Sequence, residues 1–132
     1  MPRNNYVTWS GNPKVEWLTD YGDDGAWLLL EDLTATWHRP GHEGRTVTAK
    51  AGFIFDGTSI PKRLRSFISA QGKHFRSSVI HDWLYAMIRV GWEKQEDADL
   101  FFKDGLETDG MDEHDEWLMY MAVTKWGDEV WG

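Results

Sequence analysis

A chain of 132 residues with 22 acidic and 14 basic side chains carries a formal charge of −8 and contains no cysteine. That length fits one domain able to bury roughly 70% of its unfolded surface, whereas two domains would each be too small to hold a core without disulfides or metals. Lack of cysteine excludes a disulfide framework, a thiol nucleophile and a thiolate metal site, and the acidic balance argues against binding nucleic acid by phosphate neutralisation.

From the start of the chain, MPRNNYVTWSG holds no apolar segment of signal-peptide length. The longest apolar run, Ala26 to Leu30, is far short of a membrane span, so no transmembrane segment is expected. Strands are predicted over Lys14–Thr19, Trp27–Trp37 and Arg45–Phe55, with β-branched Thr34, Thr36, Val47 and Thr48 among them. Turn signals separate them at Gly22-Asp23-Asp24-Gly25 and at Arg39 to Gly44. Asp23 and Asp24 read as a hairpin turn rather than as calcium ligands. An antiparallel meander follows over about residues 1–57.

Beyond Asp56-Gly57 the pattern becomes helical, over about residues 58–132. Ser59 is the predicted N-cap of a short helix from Pro61 to Ser69. Longer helices are predicted over Lys73–Val90, stopping at Gly91, over Glu93–Thr108 and over Asp112–Val130, the last with Leu118, Met121, Ala122, Val123 and Trp126 as its apolar positions. The expected class is α+β, a single domain over 1–132 in which a β meander is followed by three to four packed helices. Lys62, Arg63, Arg65, Lys73 and Arg76 read as solvated helix surface rather than a phosphate site, and His38, His42 and His114 as exposed. The nine tryptophans serve either as core or as an interface.

One constellation carries chemistry. Val79, Ile80, Trp83, Leu84, Met87 and Ile88 form the apolar side of the second helix, with Trp83 and Leu84 in the core. Side chains three and four apart share a face, which puts His81 beside Leu84 and Tyr85, partly accessible. In the next helix Asp99 lies near the stripe of Ala98, Phe101, Phe102 and Leu106. A tight Gly91-Trp92 turn makes the two helices antiparallel neighbours and brings His81 to Asp99. A carboxylate on one ring nitrogen fixes the tautomer and direction of a histidine, so that the other nitrogen can act as a base. Asp82 points away and is available to a hard cation, with carbonyl oxygens from a turn at Asp56-Gly57-Thr58. The same pair also fits a clamp that satisfies its own hydrogen bonds. A third reading makes His74, His81, Asp82 and Asp99 the ligands of a metal-dependent phosphohydrolase.

The run HDWLYAMIRVG followed by DADLFFKDGLE resembles the active-site helix pair of calcium-dependent secreted phospholipases. It is most similar to the phospholipase domain of parvovirus capsids, with His-Asp-x-x-Tyr followed by Ala-Asp-x-x-Phe. The resemblance implies that His81 activates water, Asp82 binds Ca2+, Asp99 orients His81 and Tyr85 donates a supporting hydrogen bond. It departs from the family in having no disulfide network and no glycine-rich calcium loop before the helix, for which Gly57 alone is a poor substitute.

The segments AGFIFDGTSIPKRL, HFRSSVIHDWLY, EDADLFF and MYMAVTKWG resemble an uncharacterised domain found mainly in tailed bacteriophages and prophages. That resemblance implies a phage source and a place in the host cytoplasm or the virion. Two functions then compete. One is a calcium-assisted, phospholipase-like ester hydrolase acting on lipid. The other is a non-catalytic phage protein that binds another phage or host protein.

Overall fold

The computed structural model describes residues 5–22, 25–55, 75–89 and 94–131, with residues 89 and 125–131 as backbone alone. The Asp23-Asp24 turn, Asp56-Gly57, the helix predicted over 61–69, His74 and the Gly91-Trp92 turn lie outside the described residues.

Among the described residues six strands come first in the chain: β1 (Val7–Trp9), β2 (Val15–Leu18), β3 (Ala26–Leu29), β4 (Leu33–Trp37), β5 (Arg45–Ala49) and β6 (Ile54–Phe55). They make two antiparallel three-stranded sheets, ordered β1-β4-β5 and β2-β3-β6. Three helices follow among the described residues, α1 (Phe75–Arg89), α2 (Gln95–Thr108) and α3 (Glu113–Trp131), which gives the expected α+β class.

The strands differ from expectation in two respects, the first being β1, which lies outside the predicted runs. The second is that Trp27–Trp37 and Arg45–Phe55 are each two strands, and each run passes from one sheet to the other. Both breaks occur at a single corner. There the Asp32 carboxylate accepts the Ala51 amide at 2.8 Å and the Lys50 ammonium at 3.2 Å, while the Gly52 amide donates to the Leu29 carbonyl at 2.7 Å. The Ala51 amide first, and Lys50 second, hold the Asp32 carboxyl below its ordinary value. Such corners let a strand leave one sheet and enter another. Alternation runs cleanly in β4 and β5, whereas β3 buries Ala26 and Leu29 at its two ends. In β4 Leu33, Ala35 and Trp37 point inward, and Thr34 and Thr36 pair outward with Thr48 and Thr46 of β5.

The helices are closed by local chemistry. After α2, Gly110 takes φ +87°, its amide donates to Glu107 and the Met111 amide reaches back to Leu106, a Schellman stop that favours glycine. Asp112 then caps α3, its carboxylate accepting the amides of His114 at 3.0 Å and Asp115 at 3.4 Å.

α1 is buried on more than one side. Val79, Ile80 and Leu84 join Leu29, Leu33, Ala35, Trp37 and Phe55 of the two sheets and Phe101 of α2 in one core. A second core lies between α2 and α3, from Phe102, Leu106, Met111, Met119, Ala122 and Val123. The buried apolar line of α3 is therefore Met119, Ala122 and Val123, with Leu118 packed beside it and buried Glu116 one turn earlier; Met121 falls outside it, and the Trp126 side chain lies outside the described residues. Among the described residues no helix is long and apolar enough to cross a membrane.

Polar ties fasten α2 to the strands and to α1. Buried Asp104 accepts the Trp37 indole N–H at 2.7 Å and a forked pair of bonds from Arg39 at 2.7 and 3.1 Å. The hydrogen bond to Asp104 raises the Arg39 guanidinium above its ordinary value. Asp109 accepts a second fork from Arg76 at 2.8 and 2.6 Å, and the Arg76 guanidinium also lies 4.9 Å from the Trp9 ring. Asp104→Ala should lower unfolding free energy by about 2–4 kcal/mol, because it strands a buried indole N–H and a partly buried guanidinium. Lys50→Ala, at an exposed pair, should leave the urea midpoint unchanged. Similar midpoints for the two variants would contradict this assignment.

Candidate functional site

On α1, His81 and Tyr85 stand one turn apart and so point the same way. That way leads to α2. His81 Nε2 lies 2.8 Å from Asp99 Oδ1, and the Tyr85 hydroxyl donates to the same oxygen at 2.9 Å. The helices come close because of a glycine. A Cβ on Gly105 of α2 would stand 2.5 Å from Ser77 Oγ of α1 and 3.3 Å from its Cβ, so a larger residue would force Ser77 to shift. The His81 ring is packed between Tyr85, 4.4 Å away, and Phe102, 4.6 Å away.

A carboxylate offers only lone pairs, so both neighbours must present hydrogens to it. His81 then carries its proton on Nε2, and in the neutral ring Nδ1 holds the lone pair. Such an arrangement fixes the tautomer and orientation that a general base needs, and it stabilises the imidazolium formed when the base takes a proton.

His81, Tyr85 and Asp99 are thus brought together as the sequence pattern anticipates. Their burial is greater than anticipated. His81 is 0% exposed rather than partly accessible, Asp99 is 1% and Tyr85 3%. The cause is the position of α1, whose His81 side is covered by α2 while its Val79–Ile80–Leu84 side faces the sheets. Leu84 is core as expected, but Trp83 is half-buried and meets Phe53 edge-on at 5.1 Å. An open cleft of about 460 Å3 reaches Asp99 from the start of α2, lined by Lys94, Gln95, Glu96, Asp99 and, from α3, Thr124.

Asp82 is also buried on α1. The ligands expected beside it, Asp56 and Gly57, are outside the described residues, as is His74 of the phosphohydrolase set. Among the described residues no group of three or more histidine, aspartate or glutamate side chains is placed to hold a metal ion. Ca2+ takes six to eight oxygens, so the described residues do not by themselves make a calcium site.

Other polar residues have specific work. His38 and His114 are exposed, the former 2.8 Å from Thr8 Oγ1, while His42 is half-buried and stacked on Trp37 at 4.2 Å. Arg76 is committed to Asp109 rather than offered to a phosphate. Sequence reasoning missed Asp104. Its signal was a carboxylate on the apolar side of α2, three residues after Phe101 and two before Leu106. Its partner Arg39 was read as part of a turn, and nothing local links the two.

The chain belongs to the family described as Protein of unknown function (DUF1353), whose pattern matches residues 27–123. No curated protein and no solved structure matches the chain. The matched span includes His81, Asp82, Tyr85 and Asp99. Tyr85→Phe should cost about 1–2 kcal/mol of stability and Asp99→Ala about 2–4 kcal/mol, because the latter strands two buried donors. In urea unfolding the double variant should lose less than the sum of the two, since both changes remove the same bond. Strict additivity would mean that Tyr85 and Asp99 do not act on one another.

Proposed function

We propose that this DUF1353 protein is a phage-encoded, phospholipase-like ester hydrolase in which His81 is the general base, Asp99 its orienting carboxylate and Tyr85 the donor that steadies Asp99. One observation carries the reading: His81 Nε2 and the Tyr85 hydroxyl converge on a single oxygen of Asp99 across two helices. His81 Nδ1 takes a proton from water as the water oxygen bonds to the ester carbonyl carbon. The tetrahedral intermediate then expels the alcohol oxygen, which leaves with the proton that Nδ1 held. Asp99 keeps its charge throughout and stabilises the imidazolium between the two steps.

Asp82, beside His81, is the carboxylate that this reading assigns to Ca2+, together with Asp56 and Gly57. A bound Ca2+ would supply positive charge for the developing oxyanion. Lipid esters are the proposed substrates, and the host cytoplasm or the virion the proposed setting.

A specific observation favours a second reading. The imidazole is wholly enclosed, and a buried His–Asp pair with a tyrosine donor also serves as a clamp between α1 and α2. The protein would then be non-catalytic, working through contact with another phage or host protein.

The two readings part at His81→Gln. Glutamine keeps a donor for Asp99 but cannot take a proton from water. Under the hydrolase reading the variant loses about 10²–10⁴-fold in rate and only about 1 kcal/mol in stability. Turnover would be followed on phospholipid and short-chain esters, with and without calcium. A wild type inert on every ester, with His81→Ala losing about 1–3 kcal/mol by stranding Asp99, would establish the clamp and overturn the hydrolase.

A further inference from the structure

α3 buries one line of side chains, Met119, Ala122 and Val123, against Phe102, Leu106 and Met111. A surface helix normally shows water a polar opposite side. On α3 that side carries Glu113, Trp117, Met121 and Thr124, spaced four, four and three residues apart, which is one straight line down a helix. Trp117 is 57% exposed and Met121 36%. Neither belongs to the core that α3 makes with α2, so their apolar area contributes nothing to that packing.

The head of the line is acidic. Asp112 and Glu113 are exposed and Asp115 is half-buried beside them. The sequence of α3 contains one lysine, Lys125, twelve positions beyond Glu113, and no arginine. From Glu113 to Thr124 the line is about 16 Å long, three helical turns. Trp and Met are enriched at protein interfaces, where an exposed indole acts as an anchor.

We infer that this line docks a basic amphipathic helix of another protein, its aliphatic side chains covering Trp117 and Met121 and its lysines or arginines reaching Asp112 and Glu113. Charge decides the occupant. A second copy would bring the same acidic head and another eight negative charges, and an anionic membrane repels the chain in the same way. A helix with basic residues at one end matches the line in sign, length and periodicity.

The test uses the full chain in calorimetry with a 16-residue peptide of leucines and lysines at helical spacing. Its controls are a scrambled peptide of the same composition and a leucine–glutamate counterpart. The patterned basic peptide should bind at least about tenfold tighter than the scrambled one, a preference that Trp117→Gln removes. Glu113→Gln should weaken binding and flatten its salt dependence. Both replaced side chains are exposed, so thermal midpoints should hold; if that of Trp117→Gln falls, Met121→Ser carries the comparison. Equal binding of patterned and scrambled peptides would reduce the effect to attraction between net charges and overturn the proposal. So would Trp117-dependent binding to phosphatidylcholine vesicles without peptide preference, or self-association in sedimentation that Trp117→Gln abolishes.

Discussion

Two carboxylates buried in α2 set the terms for everything around them. An ionised side chain removed from water is tolerated only when it is paired and hydrogen-bonded, and Asp99 and Asp104 are both buried. They are five residues apart, about 140° around the helix, so one helix must find partners in two directions. Asp99 is met from α1 by His81 and Tyr85, and Asp104 from β4 and the residue after His38 by Trp37 and Arg39. Neither set of partners works unless α2 lies between the helix and the sheet, at a fixed rotation. The apolar residues of α2 fill the remaining directions, Ala98 and Phe101 toward one core and Phe102 and Leu106 toward the other.

Local features were legible and non-local ones were not. The ends of α2 and α3 follow from Gly110 and Asp112, which act within a turn of themselves, and both helices begin and end close to where the periodicity places them. His81, Tyr85 and Asp99 were readable together because one helical turn links the first two and a short connection links the helices. The division of two long strand runs into four was not readable, since the corner is fixed by Asp32 meeting Ala51 and by Gly52 meeting Leu29. Those contacts join segments about twenty residues apart. The pairing of Asp104 with Arg39 spans 65 residues and left only one trace, a charge on an apolar stripe.

The site and the surface make different demands on the same helices. Around Asp99 burial is nearly complete, which strengthens each hydrogen bond and fixes the imidazole in one orientation. A base held in that way is well oriented, and the same enclosure would stiffen a purely structural clamp. Along its exposed line α3 leaves an indole and a thioether in water, with a group of carboxylates at the head. The two regions meet at Thr124, which ends that line and also lines the cleft reaching Asp99.

The central claim is chemical: Asp99 holds the His81 proton on Nε2 and leaves the lone pair on Nδ1. Nitrogen-15 correlation spectra of the imidazole, recorded above the pH at which the ring titrates, report the tautomer directly. The account predicts a protonated nitrogen at Nε2 whose hydrogen exchanges slowly with solvent, and an unprotonated Nδ1; in Asp99→Ala that preference should weaken and exchange should quicken. A ring protonated at Nδ1 in the wild type, or an Nε2 proton indifferent to the loss of Asp99, would contradict it.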